Sequence, residues 1–358
     1  MSDEASYDEA FYEAIPDEAA YDAFMGAVRA GDLQEIKGLR QYVFLKRMRE
    51  PPKEACLVYD AALAGHLECV KYLHENGCPL DEDTCYAAAK GGHLECVKYL
   101  HENGCPWDER TCTKAAKGGH LECLRYAREN GCPWDEETCE AAAEFGNLEC
   151  LNYAFENGCP WDEETCARAA EGGHLECLKY AHETGCPWDG ITCAGAAGGG
   201  HLECLKYAHE NGCPLNPLGT CARAARCGHL ECLKYLHENG CPWDGITCEA
   251  AARGGHLECL KYAHENGCPL NIDQILHELP VYGMDRLAAF FGRPPTRYTE
   301  RHESIEAYLK ACTKSPIKCP FESAMAVLDE AKNALKDGDY KTIADALMLA
   351  HRAKRQRR

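Results

Sequence analysis

The chain has 358 residues, 46% of them apolar, and a formal charge of −20. That apolar share supports a packed interior and excludes a wholly disordered chain, while no run approaches the roughly 18 apolar residues that span a bilayer. The 27 cysteines are an odd number, which excludes complete intramolecular pairing. With an acidic opening in place of a basic-then-apolar secretory signal, they predict reduced thiols in the cytosol or nucleus.

Residues 1–26 hold eight Asp/Glu and no Lys/Arg, with Tyr7, Phe11, Tyr12 and Tyr21 interspersed. They read as an acidic N-terminal segment with a solvated, mobile character. Ala27–Ile36 predicts a divergent first repeat, Leu39–Pro52 an irregular connection, and Ala55–Leu63 a helix. From there the chain copies itself. Gly-His-Leu-Glu-Cys begins at Gly65, Gly92, Gly119, Gly173, Gly200, Gly228 and Gly255, and Gly146 opens a copy reading Gly-Asn-Leu-Glu-Cys. The step is 27 residues, with a single 28 around Asn216-Pro217-Leu218-Gly219. A fixed period of this length means a solenoid or an array of small modules.

One unit shows why each copy should be a helical hairpin. Asp108 is placed as an N-cap, and acidic residues in the following turn suit the helix dipole. Cys112, Ala115 and Ala116 then fall at i, i+3, i+4, a buried stripe of small residues. Gly118-Gly119 stops this helix A. Helix B follows from about His120 to Asn130, burying Leu121, Cys123, Leu124 and Ala127. Gly131 caps it, and Cys132-Pro133 turns the chain into the next unit.

After the repeats, Asn271–Gly292 reads as a degenerate last copy and Arg293-Pro294-Pro295 breaks it. Helices are predicted near 301–312, 321–336 and 339–353, ending in a basic tail, Lys354–Arg358. The organisation expected is an acidic segment (1–26), a repeat body with divergent caps (27–292) and a helical C-terminal region (293–358).

Gly92-His93-Leu94-Glu95-Cys96-Val97-Lys98-Tyr99-Leu100-His101-Glu102-Asn103-Gly104-Cys105 resembles the second helix and cap of an ankyrin repeat, and Ala88-Ala89-Lys90-Gly91 resembles the end of that family's first helix. The resemblance covers about residues 27–270. It implies an all-α, ankyrin-like helical-hairpin solenoid with a small helical C-terminal extension. Ankyrin repeats run about 33 residues, so the β-hairpin finger is reduced here to a short turn. Such Cys-rich, finger-less variants look like those of protists and large DNA viruses.

The cysteines invite a metal or redox reading, since His93 and Cys96 sit at i, i+3. They fall where the ankyrin pattern buries Ile, Ala and Leu, however, and free cysteine packs as a small hydrophobe. Close Cys-x-x-Cys pairs are missing, and Asn147 takes the histidine's place in one copy. All five tryptophans (Trp107, Trp134, Trp161, Trp188, Trp243) share a position with Leu80, Leu215 and Leu270, as an apolar ladder along one edge would require. His74, His101, His182, His209, His237 and His264 read as a polar edge without a recurring nucleophile or acid beside them. No phosphate loop or nucleophile elbow stands out. No enzyme activity, cofactor or metal is therefore expected.

Variation between copies marks the candidate contact surface. Counting from the helix-A cysteine, the first, second and fifth positions include Tyr86, Glu140 and Glu249; Lys114, Arg168 and Arg223; and Lys90, Lys117, Glu144, Glu171, Arg226 and Arg253. On a 3.6-residue period these face away from the Cys-Ala-Ala stripe. The second position alternates small and basic residues, which can relieve crowding between stacked copies. Phe145 and Phe155, replacing glycine and histidine in one copy, could form a hydrophobic anchor. The expected function is a non-enzymatic protein–protein interaction scaffold. Alternatives are a metal-binding or thiol-redox repeat protein, and a ubiquitin-ligase adaptor, because Ile15-Pro16-Asp17-Glu18 faintly resembles the start of an F-box. The acidic body disfavours nucleic acid except through the basic tail, and no membrane partner is expected.

Overall fold

The computed structural model describes residues 17–39, 55–215, 219–276 and 297–314. Residues 1–16, most of the 39–52 connection, most of the degenerate copy, the helices expected at 321–336 and 339–353, and the basic tail lie outside the described residues. Among the described residues every regular element is a helix, and none is long and apolar enough to cross a membrane. The chain divides into two compact units, one ending at Trp188 and the other beginning at Asp189.

The first unit contains α1 (Asp17–Ala30), a short helix at 33–39, α2 (Ala55–Leu63), α3 (Leu67–Glu75), α4 (Glu82–Gly91), α5 (Leu94–Glu102), α6 (Glu109–Lys117), α7 (Leu121–Glu129), α8 (Glu136–Glu144), α9 (Leu148–Glu156), α10 (Glu163–Gly172) and α11 (Leu175–Glu183). The second contains α12 (Gly190–Gly199), α13 (Leu202–Glu210), α14 (Thr220–Cys227), α15 (Leu230–Glu238), α16 (Gly245–Gly254), α17 (Leu257–Glu265) and α18 (Arg297–Lys314). Even-numbered α2–α16 are A helices, and each packs on the B helix that follows it.

Local chemistry sets the ends. Asp81 caps α4 by accepting from the backbone N–H and the hydroxyl of Thr84, at 3.0 and 2.7 Å. Helix A ends at Gly92, whose φ of +77° only glycine adopts cheaply. Asn103 closes helix B by donating its side-chain amide to the Tyr99 carbonyl at 2.7 Å.

Packing follows from the size of the buried residues. Helix A buries Cys85, Ala88 and Ala89, and helix B buries Cys96, Val97 and Leu100. Small residues let successive A helices pack side by side, and the B-helix leucines fill what remains. Truncating one, such as Leu124, removes contacts worth about 2–5 kcal/mol. The helix-B leucine that opens each copy contributes less: Leu121 is half-buried rather than buried.

Both ends differ from the sequence reading. α1 runs through the boundary drawn at 26/27, with Phe24, Met25, Ala27 and Val28 buried. With the helix at 33–39, which buries Ile36 and Leu39, it forms a first hairpin starting by residue 17. The acidic residues preceding Phe24 suit a helix N-terminus, so composition placed the boundary too late. At the other end, α18 extends the expected 301–312 helix and buries Ile305, Leu309 and Cys312. The Tyr308 hydroxyl meets His264 Nδ1 at 3.0 Å, as the Tyr262 hydroxyl meets His237 Nδ1 at 3.1 Å. α18 thus packs on α17 like a further helix B.

Candidate interaction surface

The three helix-A positions expected to face outward are not equivalent. At the fifth, Lys90, Lys117, Glu144, Arg226 and Arg253 are exposed, and Glu171 is half-buried. At the first, Tyr86, Glu140 and Glu249 are half-buried, while Thr113 and Ala167 are buried. At the second, Lys114, Arg168 and Arg223 are half-buried, and Ala87, Ala141, Gly195 and Ala250 are buried. The first two positions lie at the seam between neighbouring A helices. A helical wheel cannot reveal that burial.

Arg223, a basic member of the second-position alternation, packs against a fifth-position glycine, Gly198, where an added Cβ would sit 2.4 Å from Arg223 Nε and 2.8 Å from its Cγ. The arginine stem lies across the glycine of the preceding A helix.

Electrostatics knit neighbouring A helices together in the first unit. The Arg168 guanidinium lies 3.4 Å from Glu171, 3.6 Å from Glu164 and 4.0 Å from Glu140. Burial and nearby Asp162 raise the Glu140 carboxyl above its ordinary value, with Arg168 opposing them. Arg110 bridges Asp83 and Asp108 at 2.9 and 2.7 Å. Arg110 and Lys114 each hold a cation 5.8 Å from the Tyr86 ring, which stacks on Tyr59. In the second unit Arg253 is paired with Glu249.

Phe145 and Phe155 do not make one anchor. Phe145, 42% exposed at the C-cap of α8, receives the Lys117 ammonium 4.2 Å above its ring. Phe155 lies at the end of α9 and stacks on Trp161 at 3.8 Å. It occupies a rung of the tryptophan ladder, as His101 does on Trp107 (3.9 Å) and His237 on Trp243 (3.9 Å). Arg128 fills the same rung over Trp134 at 4.3 Å. This edge accepts any flat, polarisable side chain that covers the indole.

The histidine opening each helix B has a role that sequence reading missed. His66, His93 and His120 reach back with Nε2 to the carbonyls of Arg29, Leu63 and Lys90, at 3.0, 3.1 and 3.2 Å. Asn147 does the same with its amide, donating to Ala116 and Lys117 at 2.8 and 2.9 Å. Each contact caps the carbonyl end of helix A in the preceding copy, where carbonyls lack intrahelical partners. The signal was present in the Asn147 substitution, since the amide is the other side chain that can donate from that point.

The cysteines are buried in the same regular way. The thiols of Cys105, Cys132, Cys159 and Cys186 donate to the carbonyls of Asp81, Asp108, Asp135 and Asp162 at 3.1–3.2 Å. Burial pushes the helix-B thiols of Cys96, Cys123 and Cys177 up to about 11, and that of Cys150 to about 12. Among the described residues no three His, Cys, Asp or Glu side chains converge as metal ligands. Cys227, at the end of α14, is exposed.

Hairpins stapled in this way define an α-helical repeat protein. A sequence model of ankyrin repeats matches three overlapping stretches, residues 24–111, 58–138 and 84–165, and the same unit recurs to about residue 268. The chain is an ankyrin-repeat protein. Among solved structures, the human ASB11 ankyrin repeat domain is similar at 21% identity, covering 44% of this chain and 85% of its own, with a TM-score of 0.39. Among curated proteins none matches.

Proposed function

We propose that the chain is a non-enzymatic scaffold that binds other proteins through its helix-A face. Ankyrin repeats in general bind proteins. The observation that carries the reading here is a contrast within each copy. The carbonyl staple, the thiol contacts and the caps recur almost unchanged, whereas the exposed fifth position runs Lys90, Lys117, Glu144, then Arg226 and Arg253. Solvated positions that differ while their surroundings repeat are those that can carry partner choice. Without β-hairpin fingers, helix A supplies much of the remaining recognition surface. The buried, hydrogen-bonded thiols support packing over a metal or redox role.

The test is a quantitative affinity capture from cell extract with three baits: wild type, a Lys90→Glu/Lys117→Glu/Arg226→Glu variant, and a helix-B control, Lys98→Glu/Lys234→Glu. Proteins retained by the control and lost from the helix-A variant are expected. Equal recovery on all three baits would overturn the assignment.

A further inference from the structure

The A helices of the second unit differ in character from those of the first. In the first unit the opening turns of α4 to α10 are acidic, with Glu82 and Asp83 in α4, Glu109 in α6, Glu136 and Glu137 in α8, and Glu163 and Glu164 in α10; only α2, at its start, has none. In the second, α12, α14 and α16 carry no acidic residue there. Gly190-Ile191 and Gly245-Ile246 stand where acidic pairs stood. Ile191 is 41% exposed and Ile246 is 56% exposed, so two large apolar side chains sit in water within one short unit.

Helical spacing joins these isoleucines to the variable face. Ile246, Glu249, Ala250 and Arg253 fall at i, i+3, i+4, i+7 on α16, and Ile191, Ala194, Gly195 and Gly198 do so on α12. α14 packs between them and contributes Arg223 and the exposed Arg226. The face is therefore apolar toward the helix starts and basic toward their ends. The Asp189 and Asp244 carboxylates are engaged by the backbone N–H groups of Ile191 and Ile246, at 2.8 and 3.0 Å. Beside Ile246 lies a recess of about 230 Å³, lined by Gly245, Glu249, Asn271, Gln274 and Ile275. On a chain of net charge −20, three arginines against Glu249 across α12, α14 and α16 form a local exception.

We propose that this face docks an acidic peptide segment of a partner protein that carries bulky apolar side chains. Its carboxylates meet Arg223, Arg226 and Arg253. Its apolar side chains cover Ile191 and Ile246 and enter the recess. Burial of the two isoleucines supplies affinity in proportion to the area removed from water, and the arginines supply orientation and choice of sign. A polyanion such as RNA would use the arginines and leave the isoleucines in water. The inference rests on the helix-A reading above and narrows it to one partner chemistry at one place.

The test is selection of random peptides of about twelve residues on the full-length protein, with affinities then measured by fluorescence anisotropy. The expected winners combine Asp or Glu with Leu, Ile, Phe or Trp. Their affinity should fall about tenfold or more on Arg226→Glu/Arg253→Glu and on Ile191→Ser/Ile246→Ser, and decline with salt. All four positions are exposed, and circular dichroism confirms that the variants remain helical. Winners without acidic residues, or with affinity unchanged on both variants, would overturn the proposal. So would a single-stranded RNA oligonucleotide that outcompetes the peptides and ignores the isoleucine variant. Winners weakened only by Lys90→Glu/Lys117→Glu would sink this proposal and keep the helix-A reading, whereas winners insensitive to every helix-A change would sink both.

Discussion

Nε2 of His93 lies 3.1 Å from the carbonyl oxygen of Leu63, thirty residues earlier in the chain. One side chain at the start of a helix B thereby closes the end of helix A in the preceding copy. His93→Ala strands that carbonyl and should lower stability by about 1–2 kcal/mol. His93→Asn keeps a donor, as Asn147 does naturally, and should recover most of the loss. Urea midpoints for the three proteins check this. Equal loss in both variants would show that the ring, not the hydrogen bond, matters.

Two glycines separate backbone strain from crowding. Gly92 and Gly104 share a φ of +77°, yet a Cβ at Gly92 would sit 2.4 Å from His120 Nδ1 and one at Gly104 would meet nothing within 4 Å. Gly104→Ala should cost about 1–2 kcal/mol, the left-handed penalty alone. Gly92→Ala should cost clearly more, because the His120 ring must leave its place. Thermal melts of the two variants make the comparison, and equal losses would contradict it.

Much of this fold was legible in the sequence, because a repeat tests itself with every copy. The Asp108 cap, the Cys112-Ala115-Ala116 stripe and the glycine stops follow from single-helix rules that local chemistry enforces. Tertiary placement was harder to read. Thr113 and Ala167 fall on the outward face of an isolated helix, but the neighbouring A helix covers them. Phe155 looked like a surface anchor because nothing in the spacing shows that its position stacks on Trp161. The first repeat was expected from Ala27, but its hairpin begins earlier, because acidic composition in residues 1–26 suggested a solvated segment although Phe24 already carried the spacing of a buried face with Val28. Of the candidate contact residues, those at the fifth position match their expected exposure best, since the neighbouring A helices cover that position least.

The thiols predict a pH dependence with a definite sign. Burial raises Cys96, Cys123 and Cys177 to about 11 and Cys150 to about 12, against roughly 8.5 in an unfolded chain. A raised pKa means that the folded state holds its protons more tightly. The resulting stability is complete below about pH 8 and is lost as pH rises toward 11–12. Urea midpoints measured from pH 7 to 10.5 should fall, and a Cys96→Val/Cys123→Val variant should fall less steeply. A flat profile would contradict the burial of these groups. At pH 8 the same thiols should resist alkylation while exposed Cys227 reacts.

The most direct measurement of the central claim is site-specific photocrosslinking in cells, with a benzophenone amino acid at Lys117 or Arg226 on the helix-A face and at Glu95 or Glu231 on helix B. The account predicts partner adducts from the two helix-A positions and little from the two helix-B positions. Adducts that form from helix B alone, with the helix-A positions silent, would contradict it.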